Sequence, residues 1–452
     1  MDFNRYNINA LQVLAIQQRK SDKRQAALQT LDQLREVDPL NHLAFFEAYL
    51  LDKSAANKQA FLDRHRSEFP VQTFLELAID YHNKGQASNA LDVLALAPRH
   101  PLVQLWQAYL KGDPQLEAVT GAPSAFVFPF RRETIDALEW ATQQSSHWKL
   151  KYYLALNYWG KERPTEAAAL LQACGSEPDF APFYLSRAHL LEQQQGTDAW
   201  ADLQKAALLN PSDWRIQRSI SSYLQAKGKT KEALAFAKKA YQQYPDNNAI
   251  GMDYARLLIA TQQYDNSIKV LKAQQVLPFE GASEGRKLYE QAHLGAALDK
   301  IKQKQYQPAV SLLQTSKEWP EQLGVGKPYD TEERMSDFLL AFCHQQLGDE
   351  AKSKALYQSV VGLSKNQLDR VTPLHLLGLI SAQKAYDDSS ANQLLKALHH
   401  ESFDNQPIGK WVSATFKNDA RTLAQLQYQH PQLLSSTDMK LLSQIVRLVA
   451  LK

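Results

Sequence analysis

The chain has 452 residues, with 51 lysines and arginines against 48 acidic residues, a formal net charge of +3. The charges are interleaved and form no basic stripe, so no nucleic acid is expected as partner. The only two cysteines fall in different predicted helices, which excludes a disulfide framework and argues against a metal site built on cysteine.

Glycines are few and single, and Val-Ile-Thr runs of period two are nearly absent, which favours helix throughout. The start, Met1 to Arg5, lacks a basic flank followed by an apolar core and does not read as a signal peptide. No stretch approaches the roughly 18 apolar residues of a membrane span. No membrane insertion is therefore expected, and the cytoplasm is the expected location, with the periplasm open if a longer exported protein contains the chain.

Residues 1–110 read as N-terminal helix pairs. Ala15, Ala27 and Pro39 are spaced 12 and 12, and Ala78, Ala90 and Pro101 are spaced 12 and 11, with Tyr81 and Gly85 between. Residues 111–146 read as an irregular insertion followed by a helix.

Residues 147–279 carry the regular pattern. Ala155, Ala188, Ser221 and Ala255 are spaced 33, 33 and 34; Ala167, Ala199, Ala233 and Ser267 are spaced 32, 34 and 34; Pro178, Pro211, Pro245 and Pro278 are spaced 33, 34 and 33. A period of about 34 is that of the tetratricopeptide helix pair. Two antiparallel helices approach closely where each offers a small residue, and large apolar residues fill the flanks at one-face spacings. Proline marks the end of each second helix. Asp213 and Asp246 then have the character of caps for the next helix, and Gly228 falls in a turn that needs positive φ.

Residues 280–400 read as degenerate pairs. Ala341, Gly348 and Ser353 fit one unit, and Tyr264 and Tyr306 sit in equivalent places just before a second helix. Residues 401–452 read as capping helices, the last one (Leu441, Leu442, Ile445, Val446, Leu448) strongly apolar and expected to fold back on the stack. The fold class is all-α, an α-solenoid of antiparallel helix pairs in a tetratricopeptide-like superhelix. The length would hold roughly 13 such units, but fewer are expected. The stretches Lys111 to Arg132, Lys317 to Asp330 and Glu401 to Lys410 break the pattern.

Those stretches and their flanks carry specific text: Phe128-Pro129-Phe130-Arg131-Arg132-Glu133, His147-Trp148-Lys149, Pro182-Phe183-Tyr184-Leu185, Leu277-Pro278-Phe279-Glu280 and Trp319-Pro320-Glu321-Gln322-Leu323-Gly324. In this order they resemble the C-terminal helical half of large bacterial tetratricopeptide proteins. Those proteins begin with a carbohydrate-binding-like domain of unknown function. The resemblance implies a role near sugar handling and assigns no catalytic residue.

No catalytic, cofactor or metal site is expected. Gly324-Val325-Gly326-Lys327-Pro328 lacks the spacing and the Ser or Thr of a phosphate loop; it reads as a turn feeding a helix, with Asp330 as cap and Glu333 completing a capping box. No two histidines have the i, i+4 spacing of helix-borne metal ligands. Histidines such as His65 and the pair His399-His400 read as exposed. Glu332-Glu333 and Asp387-Asp388 are sequence neighbours, not carboxylates facing across a cleft.

Binding is expected on the concave face, which the first helices line. The candidate groove residues are Lys149, Tyr152 and Trp159; His189; Arg215, Arg218 and Gln225; and Arg256. The arginines suit a peptide carboxylate, and the aromatics a sugar face or an apolar anchor. The reading is a non-enzymatic scaffold for a protein or peptide partner. The alternative is the helical module of a carbohydrate-processing or carbohydrate-binding protein. A groove filled by the chain's own insertions would argue against the first.

Overall fold

The computed structural model describes residues 6–196, 198–398 and 405–450. The described residues contain 26 α-helices and one short 3-10 turn. The chain divides into two compact units, Met1–Asn210 and Pro211–Lys452, and each is treated separately.

The first unit holds α1 (Ile8–Lys20), α2 (Arg24–Val37), α3 (His42–Leu51), α4 (Ala55–Leu62), α5 (Pro70–Asn83), α6 (Ala87–Leu94), α7 (Pro101–Lys111), the single-turn α8 (Glu117–Thr120), α9 (Glu133–Gln144), α10 (Trp148–Gly160), α11 (Pro164–Ala173), α12 (Ala181–Gln195) and α13 (Trp200–Leu209). Neighbours pack as pairs, α1 on α2, α5 on α6, α10 on α11 and α12 on α13. α7 packs on α9 across the irregular segment that separates them. The expected contact residues lie at the centres of these pairs: Ala15, Ala27, Ala78, Ala90, Ala155 and Ala167 are all buried.

The second unit holds α14 (Trp214–Ala226), α15 (Thr230–Gln243), α16 (Asn248–Ala260), α17 (Tyr264–Ala273), α18 (Glu284–Lys302), α19 (Tyr306–Ser316), α20 (Arg334–Gln346), α21 (Glu350–Asn366), α22 (His375–Lys384), α23 (Asp388–Leu398), α24 (Pro407–Phe416), α25 (Ala420–Gln429) and α26 (Thr437–Ala450). Six consecutive pairs run from α14/α15 to α24/α25. Ser221, Ala233, Ala255, Ser267, Ala341 and Ser353 are buried at their contacts. The chain is thus all-α, built of antiparallel helix pairs.

Local chemistry sets the helix limits. Asp213 caps α14 by accepting from the Arg215 amide at 2.9 Å, which satisfies one of the orphan donors of the first turn. The cap of α16 is Asn247, which accepts from Ala249 and Ile250, and not the expected Asp246. α20 starts later than expected, at Arg334. Glu332 accepts from its amide at 3.1 Å, and Glu333 is drawn instead to Lys317 at 2.8 Å. Asp330 therefore caps nothing, because three further residues separate it from the helix.

The turn inside each pair needs one left-handed residue. Gly85, Gly196, Gly228 and Gly348 supply it in four pairs, but Asp22, Glu162, Gln262, Lys304, Tyr386 and Asn418 hold the same conformation, with φ between 53° and 60°. A side chain there costs on the order of 1 kcal/mol relative to glycine. At Gly295 the need is closeness. A Cβ there would run into the ring of Tyr264, so α18 lies directly against the start of α17.

The last helix folds back as expected, and its seat is α18. Leu441, Leu442 and Ile445 are buried in the core that also holds Leu294, Leu298 and Ile301. Polar contacts fix the register: the Gln291 amide donates to Asp438 at 2.6 Å, Lys287 pairs with Asp438 at 3.0 Å, and Lys302 donates to Gln444 at 3.3 Å. α18 is consequently buried nearly all round.

Candidate functional site

The first helix of each pair presents the candidate residues, and they fall in both units. In the first unit, Lys149, Tyr153 and Asn157 lie one turn apart on α10. Lys149 Nζ donates to the carbonyl oxygens of Thr120 and Ala122 at 2.8 and 2.6 Å. The Tyr153 hydroxyl donates to Ser124 at 3.1 Å, and the Asn157 amide donates to the Arg131 carbonyl at 2.9 Å. This stripe clamps the irregular segment after α7 along α10. Lys149 is therefore a structural clamp, and this part of the face is covered by the chain's own insertion.

Tyr152 is also not a groove residue. It is buried among Trp148, Phe180 and Phe183, with ring centroids 5.4 Å apart from Phe183, and burial pushes its hydroxyl up to about 12. It fills the gap between two pairs, where a flat ring packs more area than an aliphatic side chain. Trp159 is half-buried and lies 5.6 Å from the exposed ring of His189. These two are brought together at the surface.

In the second unit the arginines are engaged with each other's helices. Arg218 of α14 pairs with Asp253 of α16 at 2.7 Å; Asp253 also takes Arg256 at 2.6 Å; and Arg256 reaches on to Glu284 of α18. Burial opposes the charge of Arg256, but Asp253 and Glu284 more than offset it, so its guanidinium sits above its ordinary value. Arg256 is thus committed inside the chain and does not stand open for a peptide carboxylate, while Met252 beside it is buried. Arg218 keeps an exposed edge. Arg215, one turn before it, is exposed, lies over Trp214 and stands 3.7 Å from Asp213. Gln225 is half-buried in the last turn of α14.

Asp253 and Glu284 were not among the sequence-selected residues. The signal for Asp253 was present: it stands i, i+3 from Arg256 and one repeat from Arg218. Sequence reading used Phe128 and Phe130 only for the resemblance, and did not select them or Phe126 as exposed surface. Phe126, Phe128 and Phe130 are 72%, 62% and 52% exposed, while Val127 and Pro129 between them are buried. Phe126 stands in a turn with φ of 60°, and from Val127 to Phe130 buried and exposed residues alternate, one face lying against the protein.

Beside α18 lies a buried polar cluster. Arg286 stacks over Trp319 and pairs with Glu290 at 3.3 Å. Lys317 bridges Glu333 and Asp337 at 2.8 and 2.6 Å. Arg334 is almost fully buried, held by Glu332 and by Gln367 at 2.6 Å. The irregular residues after α19 are therefore an anchored segment: Gln322 accepts from the Val276 amide at 2.8 Å, and Leu323 is buried. Its carboxylates are neutralised by cations, which is what buried charges require.

The cysteines are buried, and burial pushes Cys174 up to about 11 and Cys343 up to about 12; thiols so raised are inert at neutral pH. His65 is not exposed. It stacks on Phe74 at 4.1 Å and touches the Phe61 carbonyl at 2.9 Å. His399 and His400 lie outside the described residues. Among the described residues no group of His, Cys, Asp and Glu could hold a metal ion, and no helix is long and apolar enough to cross a membrane.

Residues 224–275, from the last turn of α14 to just past α17, match the family described as Tetratricopeptide repeat. This part of the chain is tetratricopeptide repeat. Such repeats typically serve as non-catalytic scaffolds for protein–protein contact. No curated protein matches the sequence. Several solved structures are similar at low identity. PilW, a widely conserved type IV pilus biogenesis factor, is 16% identical over 48% of this chain and 93% of its own, with a TM-score of 0.30. A tetratricopeptide repeat protein from Parabacteroides merdae is 12% identical over 60% of this chain and 98% of its own, with a TM-score of 0.31. Yeast Tom70 is 13% identical over 85% and 96%, with a TM-score of 0.28. Likeness at this level says nothing of what this chain binds.

Proposed function

We propose that the chain is a non-catalytic tetratricopeptide scaffold that binds an acidic segment of a partner protein on the α14 face. The observation that carries this reading is the pair Arg215 and Arg218, one helical turn apart, both presenting guanidinium edges to solvent. Two forks at that spacing suit carboxylates on successive turns of a peptide. Elsewhere the chain's own segments lie on the first helices, the irregular residues on α10 and the last helix on α18. This narrows the open part of the face.

The sugar-handling alternative placed Tyr152, Trp159 and the 317–330 stretch at a sugar site, and Tyr152 is buried.

The test is photo-crosslinking in cells, with a photoreactive residue placed at Ser222 on α14 or at Lys239 on α15. Both are exposed, but they belong to the first and second helix of one pair. A defined crosslinked partner from position 222, absent from 239 and lost with Arg215→Glu, supports the reading. Equal products from both positions, or products indifferent to Arg215→Glu, remove it.

A further inference from the structure

An unexplained feature of the second unit is a cavity of about 550 Å³, open to solvent on one side, between α22, α24, α25 and α26. Each helix gives it one stripe. α22 contributes Leu376 and Ile380, α24 Trp411 and Thr415, α25 Leu423 and Leu426, and α26 Val446 and Val449. Spacings of three or four residues keep each set on one face. The floor is apolar and well packed: Trp411 and Leu426 are almost fully buried. A volume of this size is within the range of small-molecule sites, which are mostly apolar with few polar groups.

Beside neutral polar groups such as Gln383, Asn418, Gln427 and Ser443, the charged residues of the lining, Lys384 and Arg447, have one sign. Lys384, Arg447 and His430 line the cavity, and no described residue lining it is a carboxylate. Lys384 is half-buried and Arg447 exposed, so the cations stand where the cavity meets solvent. Neither has an ion-pair partner among the described residues, whereas the arginines nearer α18 are all paired. The Thr415 hydroxyl is shielded from solvent and has no hydrogen-bond partner among the described residues. Unpaired cations at the rim of an apolar chamber complement an apolar chain that ends in an anion.

We propose that this cavity binds a medium-chain fatty acid, with the acyl chain against Trp411, Leu426 and Val446 and the carboxylate at Lys384 and Arg447. The inference does not depend on the peptide-binding face.

The test is calorimetric titration of the intact chain with sodium dodecanoate and sodium decanoate, each below its micellar concentration, and with dodecanol below its solubility limit. Dodecanoate should bind saturably with one site. Each buried methylene strengthens binding about fourfold, so decanoate should bind on the order of tenfold more weakly. Dodecanol, without the charge, should also be weaker by about tenfold. The double variant Lys384→Gln/Arg447→Gln alters only residues at the cavity rim, and it should bind dodecanoate no better than dodecanol. Ile380→Trp should fill the chamber and abolish binding while a normal melting curve shows the fold intact. Absence of saturable binding, equal affinity for dodecanol and dodecanoate, or a double variant indistinguishable from the parent each overturns the proposal.

Discussion

Glu290 should make the stability of this protein fall as pH rises from acid to neutral. It stands on α18 with its side chain 22% exposed, 3.3 Å from Arg286. Burial raises its carboxyl from an ordinary 4.5 to about 7; Arg286 pulls the other way, and Asp438, Glu332 and Glu333 add to the rise. Between those two values the native chain holds a proton that the unfolded chain has released. The favourable contribution is therefore complete below pH 4.5 and is lost as pH climbs through 7. At 1.36 kcal/mol per pH unit the full effect is about 3 kcal/mol, and partial exposure brings the part between pH 5 and pH 8 to about 2 kcal/mol. Buried histidines work in the opposite sense: burial depresses His293 and His375, so their contribution is lost as pH falls below the ordinary histidine range. The measurement must therefore be a difference. Urea unfolding of the parent and of Glu290→Gln, followed by tryptophan fluorescence at pH 5 and pH 8, isolates the one carboxyl. The variant should gain about 2 kcal/mol relative to the parent between the two pH values. A difference that does not change with pH would show that Glu290 ionises normally. A lowered carboxyl, with the Arg286 pair outweighing burial, would likewise leave this interval flat and show its pH dependence only below pH 5.

Glu47 is fully buried and accepts from Arg19 at 2.6 Å and from the Tyr81 hydroxyl at 2.7 Å. Glu47→Ala leaves the Tyr81 hydroxyl without its acceptor and Arg19 without its counter-charge, with only Asn89 still accepting from it at 3.1 Å, and should lower the stability of the first unit by about 3–5 kcal/mol in a urea titration; a loss below about 1 kcal/mol would mean that water replaces the carboxylate. Tyr386 holds φ at 59° in the turn between α22 and α23 while its side chain is 92% exposed. Tyr386→Gly removes the strain and almost no packing, and should stabilise by about 1 kcal/mol. A destabilised variant would show that the ring, and not the backbone, matters there.

The regular part of the fold was legible because its determinants are local. The small residue in each helix, the proline after the pair and the cap after the proline all act within one period, so Ala155, Ala167 and Pro178 announce a unit without knowledge of any other. What stayed hidden depends on partners far along the chain. Nothing near Glu47 reveals that Arg19 and Tyr81 will close on it, and nothing near Arg334 reveals Gln367. The same holds for the site. The arginine pattern on α14 and α16 was read, and the spacing that lets Asp253 tie Arg218 to Arg256 was there but overlooked, while Glu284, which takes the other side of Arg256, had no local mark. Tyr152 and Lys149 were placed on the right helix and given the wrong surroundings. One meets the rings of the next pair, and the other meets an insertion whose path has no periodic signature. Left-handed turns were found only where glycine marked them, since Glu162, Gln262 and Lys304 carry no such mark.

The seat of α26 on α18 changes how this unit can come apart and come together. A plain stack of repeats can fray from its end, one pair at a time, because each pair depends only on its neighbours. Here the helix at 437–450 is bound to one more than a hundred residues earlier, so the pairs between them form a closed circuit. Opening any one must strain the clasp or release it. The same clasp is a contact of long sequence separation, and such contacts are slow to form because the loop must close before they reward it. During synthesis α18 emerges well before its cover, with Leu294, Leu298 and Gln291 still open to water. For that interval the growing chain displays an adhesive surface that the mature one conceals.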